Sequence, residues 1–345
     1  MKRIKAGISI GDLNGIGIEV ILKTLTDNRM TEFCTPVIFG SNKILSAHKK
    51  TLELHDFNFH SIKKITEIKE KKINLLNCWQ EDVEINFGKA TSLSGKYAFE
   101  SIQLACAAMK KKEIDILITA PINKVAVRKN IKNFIGHTEF FEQNFEGESL
   151  MIMISEAMKI AFVTGHIPLE KVKSSITTNK IIKKAKQFHD SLLIDFGIRS
   201  PKIAVMGLNP HAGEDGMLGD EESKIITPAI KKLNENGILA FGPYPADSFF
   251  TDKNLADFDG ILSMYHDQGL TPFKTLSFSE GVNYTAGLNI IRTSPVHGTG
   301  SDIAGKGKAN PQSFRAAIFA ACNIFKNRSE FAQITSNPLP LTVRE

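Results

Sequence analysis

Ile160-Ala-Phe-Val-Thr-Gly-His166 decides the fold: a short apolar, strand-favouring run ends at a glycine and delivers a histidine. Two later segments repeat the pattern, Ile203-Ala-Val-Met-Gly-Leu-Asn-Pro-His211 and Ile261-Leu-Ser-Met-Tyr-His266. Working outward, similar runs at 6–10, 36–39, 73–77 and 115–119 read as strands, together with 160–164, 202–207 and 260–264. Helical periodicity fills the intervals: one helix opens after Gly15, and others cover about 97–112, 178–196, 221–236 and 311–326. Strands alternating with helices predict an α/β protein. A length of 345 residues suits two domains. Regions rich in Gly, Pro and Asn after Thr119 and around Ser294–Pro311 place 1–125 and 300–345 in a terminal domain and 126–299 in a central one.

Composition narrows the function. The net charge is +6, yet residues 1–80 hold 13 Lys and Arg against 8 Asp and Glu, so the excess is local. The mixed run Lys63–Lys72 reads as a solvated connection, and few aromatics interleave with the lysines, which argues against nucleic acid. No run approaches the ~18 apolar residues of a spanning helix, and Gly11-Asp12 cuts short the apolar segment Ala6–Ile10, so no signal peptide is read. The expectation is a cytoplasmic chain without a membrane partner. Cys34, Cys78, Cys106 and Cys322 lie far apart, which fits reduced, mostly buried thiols.

Ligands of open α/β sheets collect outside the carboxyl ends of strands, where His166, His211 and His266 are expected. Three neutral imidazoles there suit a divalent metal with an open position for substrate. A lone histidine after a strand is more often a hydrogen-bonded loop residue. Asp247, in Gly242-Pro-Tyr-Pro-Ala-Asp247, is a candidate further ligand or proton acceptor. Gly136-His137-Thr138-Glu139 precedes a periodic segment, so Thr138 reads as an N-cap and the site as a helix N-terminus suited to an anion. Lys274 and Arg292 lie in apolar surroundings and need an anionic partner, which a structural carboxylate would supply equally well. Gly11-Asp-Leu-Asn-Gly15-Ile-Gly17 lacks the Rossmann spacing, and in Gly300-Ser-Asp-Ile-Ala-Gly305-Lys306 the next residue, Gly307, stands where a P-loop needs Ser or Thr.

These segments together resemble the 4-hydroxythreonine-4-phosphate dehydrogenase family of vitamin B6 biosynthesis. The resemblance rests on Gly11-Asp12 with Gly15-Ile-Gly17 and Glu19, Gly136–Phe140, Thr164–His166, Gly207–Glu214, Gly242–Asp247, Tyr265–Gly269 and Gly281 through Arg292. His297 through Pro311 also resembles the cofactor loop of isocitrate and isopropylmalate dehydrogenases, which bind NAD without a Rossmann fingerprint. The resemblance implies two α/β/α domains with a cleft between them. It also implies a homodimer whose sites are shared, with His266 reaching the metal of the other subunit. Metal ligands would be His166, His211 and His266; substrate contacts His137, Thr138, Lys274, Asn283 and Arg292; cofactor contacts His297 and Asp302. The metal would be zinc, cobalt, magnesium or manganese, and the cofactor NAD or NADP. The implied reaction oxidises 4-phosphooxy-L-threonine and removes CO2, giving 3-amino-2-oxopropyl phosphate. Asn123, Asn289 and Pro295-Val296 depart from the family's usual residues. A threonate or erythronate 4-phosphate dehydrogenase and a metal-dependent phosphoester hydrolase are the alternatives.

Overall fold

The computed structural model describes residues 3–337. Its strands are β1 (Lys5–Ser9), β2 (Thr35–Gly40), β3 (His60–Ile62), β4 (Asn74–Asn77), β5 (Ile116–Thr119), β6 (Gly147–Ile154), β7 (Lys159–Phe162), β8 (Lys202–Met206), β9 (Leu239–Tyr244), β10 (Gly260–Ser263), β11 (Val282–Leu288) and β12 (Arg292–Pro295). Two compact α/β units result. One comprises the chain up to Ile160 with Asp267–Cys322, and the other Ala161–His266 with the chain from Asn323. Composition sets the crossings near 125 and 300; the compact units instead divide at 160/161, 266/267 and 322/323.

In the first unit the strand order is β3-β4-β2-β1-β5-β12-β11-β6. From β3 to β12 neighbouring strands are parallel, whereas β11 runs antiparallel to both β12 and β6. β2 and β5 are buried along their whole length, as expected of parallel strands covered on both faces. The antiparallel β11 carries a bulge between Ala286 and Leu288. There Gly287 (φ +79°) and Gly147 (φ +116°) face each other so closely that a Cβ on Gly147 would lie 2.0 Å from the Gly287 carbonyl oxygen. Only glycine tolerates both the positive φ and the approach.

The second unit has the order β7-β10-β8-β9. β8 is parallel to β10 and β9. The amides of Val163 and Thr164 donate to the carbonyls of Ser263 and Met264, so the chain leaving β7 runs alongside that leaving β10. Helix Thr178–Ile194 is capped by the Thr177 hydroxyl, which accepts from the Lys180 amide. Its Phe188 fills the space a Gly260 side chain would need. Asp195 accepts from Arg328 Nε at 2.6 Å and Ser191 Oγ at 2.6 Å, which fastens the part of the C-terminal helix Gln312–Thr335 that belongs to this unit, from Asn323 onward.

The predicted strands appear within a residue or two of their expected ends, as do helices Gly17–Leu25 and Thr178–Ile194. Helix Ser92–Lys110 begins earlier than its periodicity suggests, because Thr91 accepts from the Ser94 amide at 3.0 Å and caps it. The expected helix at 221–236 is split into a π-turn at Glu222–Ile226 and helix Thr227–Glu235. Cys34, Cys106 and Cys322 are buried, Cys78 is half-buried, and none of the four is in a disulfide. Among the described residues no helix is long and apolar enough to cross a membrane.

His48 is buried at 1% exposure, with Nε2 donating to the Leu13 carbonyl at 3.0 Å and its ring edge-on to Phe87. Burial holds its pKa down at about 4. The unfolded chain takes up this proton as pH falls through the ordinary histidine range, while the folded chain does so only near 4. Acidification across that window therefore lowers stability by about 3 kcal/mol. Urea unfolding of wild type and His48→Gln between pH 7 and 4 checks this: the variant is expected to lose that part of the pH dependence.

Candidate active site

The three expected histidines all lie in the second unit, each beyond the end of a strand. His166 follows β7, His266 follows β10 and His211 follows β8, three consecutive strands whose chains run in one direction. The rings of His166 and His266 lie 5.1 Å apart between centroids, and His266 also stacks on Phe162 at 5.9 Å. Within a single chain, then, His266 already lies beside its own His166. His166 and His211 are exposed and His266 is half-buried. Among the described residues no group of three or more His, Cys, Asp or Glu is drawn close enough to hold a metal ion. The donor chemistry suits a divalent ion, and one pair is assembled. Asp247 is exposed in the short helix Ala246–Phe249 just beyond β9.

His211 sits in an unusual piece of backbone. Residues 211–215 all have positive φ, His211 itself at φ 51° and ψ 29°. For an L-residue this left-handed region costs on the order of 1 kcal/mol each, and such strain persists only where the surroundings impose it. Two glutamates hold the residues that lead into this stretch. Glu222 Oε1 accepts from the Leu208 amide at 2.7 Å and the Asn209 amide at 2.8 Å, while its Oε2 accepts from Asn209 Nδ2 at 3.0 Å. Glu221 accepts from the same Nδ2 at 2.8 Å and pairs with Lys173 Nζ at 2.5 Å. Lys173 and Asn209 hold the Glu221 carboxyl down at about 2. Neither glutamate stands out in the sequence, since Glu-Glu at the start of a helical segment reads as ordinary first-turn charge.

The first unit carries Arg292, His137 and Asn283, candidate substrate contacts. Arg292 opens β12 and is only 2% exposed. Its Nε and Nη2 donate to Thr119 Oγ1 at 3.0 and 2.5 Å, and its Nη1 donates to Thr285 Oγ1 at 3.1 Å. Among the described residues no carboxylate forms an ion pair with it, although Glu139 lies near enough to favour its charge. Burial therefore pushes the guanidinium pKa down to about 9. Its Cζ lies 6.0 Å from the centre of the Phe141 ring, and His137 stacks parallel to that same ring at 6.4 Å. The His137 ring is held well below the usual histidine range, first by burial and then by the charges of Arg292 and Lys124. Among the described residues its buried Nε2 has no hydrogen-bond partner, nor has the buried Asn283 Oδ1 on β11. Lys124 stands beside this cluster, its Nζ within 3.3 Å of a Cβ position on Gly136. Sequence reading missed Lys124, Thr119 and Thr285, whose residue types carry no signal apart from the fold.

Thr138 is not the N-cap. Helix His137–Asn144 is entered through Gly136, whose extended backbone supplies no side-chain bond, and Thr138 lies one turn position inside. Lys274 is half-buried on helix His266–Ser277. Among the described residues, Thr138, Lys274, Asp247 and Asp302 form no hydrogen bond or ion pair with another candidate residue. His297 has Nδ1 against the Gly298 carbonyl at 3.0 Å, and burial lowers its pKa; Asp302 is exposed and accepts from Lys306 through its carbonyl at 2.7 Å. Asn123, where the resembling family has another residue, caps helix Lys124–Arg128 by accepting from the Ala126 amide at 3.0 Å.

Comparison with known proteins follows the same lines. Residues 32–321 match the family model of the pyridoxal phosphate biosynthetic protein PdxA. A 4-hydroxythreonine-4-phosphate dehydrogenase of Bacteroides thetaiotaomicron is 45% identical over 98% of this chain and 93% of its own length. A relative from Oceanobacillus iheyensis, provisionally named a D-threonate 4-phosphate dehydrogenase, is 37% identical over 92% of this chain and 97% of its own. The crystal structure of 4-hydroxythreonine-4-phosphate dehydrogenase from Klebsiella pneumoniae superposes with a TM-score of 0.78 at 32% identity, covering 94% of this chain and 98% of that one.

Replacing Glu222 by Ala would leave two amides without their acceptor, at a cost of about 2 kcal/mol. Hydrogen-exchange mass spectrometry is expected to show faster exchange confined to the segment around Leu208 and Asn209.

Proposed function

The chain belongs to the family of the pyridoxal phosphate biosynthetic protein PdxA, and from that premise we propose how its own residues perform the family's reaction. The activity is NAD-dependent oxidation of 4-phosphooxy-L-threonine in pyridoxal phosphate biosynthesis. Oxidation of the secondary alcohol yields a β-keto acid, which loses CO2 to give 3-amino-2-oxopropyl phosphate. The observation that carries this reading is Arg292, a buried cation whose hydrogen-bond partners are hydroxyls. A phosphate or carboxylate would supply the charge that Thr119 and Thr285 do not. His137 presents an unpartnered Nε2 beside it, and the burial that keeps this ring neutral lets it donate or accept without adding charge. Thr138, Lys274 and Asn283 are the remaining proposed substrate contacts.

His166, His211 and His266 are the proposed metal ligands, supported by the assembled His166–His266 pair and by the strand order. A divalent ion there, zinc, cobalt, magnesium or manganese, would supply Lewis-acid polarisation of the substrate hydroxyl. Asp247, at the same sheet edge, is the proposed acceptor of the hydroxyl proton. His297 and Asp302 are proposed to contact the dinucleotide, NAD or NADP. The exposure of His166 and His211 supports a homodimer in which the partner completes the site. A cytoplasmic location accords with this small phosphorylated substrate.

The relative named for D-threonate 4-phosphate supports a second reading. The same phosphate and metal devices would serve a hydroxy acid without the amino group. Absorbance of NADH, measured with divalent metal on both substrates, separates the two: turnover of 4-phosphooxy-L-threonine is expected to exceed that of D-threonate 4-phosphate. Phosphate release without NADH would instead indicate hydrolysis. His211→Ala is expected to abolish NADH formation while the circular dichroism spectrum is retained; an undiminished rate in a metal-verified sample would contradict the assignment.

A further inference from the structure

The segment His297–Pro311, proposed above to contact the dinucleotide, is tied to the first helix by two residues to which the proposed reaction gives no role. Glu19 is 1% exposed in helix Gly17–Leu25. Its Oε1 accepts from the Ala309 amide at 2.8 Å and from Lys23 Nζ at 2.8 Å. Lys23, one turn further on, also donates to the Gly307 carbonyl at 2.7 Å and the Ala309 carbonyl at 2.9 Å. One ammonium and one carboxylate therefore bind both the donor and the acceptor groups of the same short stretch of loop.

The other end of the loop is seated with equal care. Ile16 donates its amide to the Thr299 carbonyl at 2.9 Å. Gly15 lies so close that a Cβ there would meet the same carbonyl oxygen at 2.8 Å. Gly88 approaches the Ser301 carbonyl, and Gly305 (φ +74°) rests on the Phe87 ring. Asn14 fixes that second support by accepting from the Asn86 amide at 2.8 Å and donating to the Lys89 carbonyl at 2.8 Å. Between Thr299 and Ala309 the loop contains Gly300, Gly305 and Gly307, each at positive φ. Such a chain has many conformations open to it unless something outside selects one.

We propose that Glu19 and Lys23 are positioning residues for the dinucleotide: they hold Gly307–Ala309, and through it the loop from His297, in the shape that binds cofactor. The inference rests on the proposed cofactor role of that loop. It also accounts for the Gly15-Ile-Gly17 spacing with Glu19, which fits no dinucleotide fingerprint because these residues support the binding loop and do not touch the phosphates. Preorganisation of this kind is read out in affinity, since binding no longer has to order the loop.

NADH binding to the metal-loaded, unreacted protein, followed by nucleotide fluorescence, tests this directly. Glu19→Ala is expected to weaken binding about tenfold, the scale of a lost hydrogen bond to a charged group. KM for NAD should rise in parallel, while calorimetric binding of the phosphorylated substrate without cofactor stays unchanged. Glu19→Gln, which keeps an acceptor for the Ala309 amide but not the charge opposite Lys23, should fall between. If Glu19→Ala does not fold, Lys23→Met carries the test, because that side chain is partly exposed. Equal NADH affinity in wild type and the variants would overturn the inference and leave the proposed function standing. Failure of the wild-type protein to bind NADH would overturn the reading of the loop and this inference with it.

Discussion

A guanidinium buried to 2% exposure, with threonine hydroxyls as its hydrogen-bond partners, is the constraint around which the first unit is arranged. Burying an isolated cation is costly, and the usual remedy is a carboxylate. β12 instead places Arg292 between Thr119 at the end of β5 and Thr285 on β11, neutral acceptors that orient the group without discharging it. That placement needs β12 to stand between a parallel and an antiparallel neighbour. The Gly147–Gly287 bulge adjusts the far side of β11. The sheet's mixed character and the charge it stores belong to one arrangement.

The two units meet their needs by different means. In the first, a buried cation is held by neutral hydroxyls, and among the described residues His137 Nε2 and Asn283 Oδ1 have no hydrogen-bond partner. In the second, three strand ends deliver histidines, and the strained left-handed turn that carries His211 is held by Glu222 and Glu221. In both units a carboxylate or hydroxyl that meets backbone amides or fixed side chains helps set the position of a candidate functional group.

Much of this could be read from residues alone. β2, β5 and β8 are uninterrupted apolar runs because both faces are covered, and such runs declare themselves. β12 does not: Arg-Thr-Ser-Pro is buried throughout, with Arg292 and Thr293 given hydrogen-bond partners by the fold, so the sequence reads as a loop. β6, β9 and β11 contain glycines, a proline or alternating polar residues that mask the strand period. The histidines were readable because strand direction fixes where a strand ends. Thr138 misled because glycine at 136 enters the helix without any side chain to mark it. The net charge of +6 carried little information, since the proposed substrate site rests on a single buried cation, Arg292.

The claim that Arg292 is held for an anionic substrate is tested most directly by isothermal calorimetry of the unreacted protein. 4-Phosphooxy-L-threonine and its unphosphorylated counterpart, 4-hydroxy-L-threonine, are compared on wild type and on Arg292→Gln of verified fold. The account predicts that wild type binds the phosphorylated compound in clear preference and that Arg292→Gln loses that preference. Equal affinity of wild type and Arg292→Gln for the phosphorylated compound would contradict it.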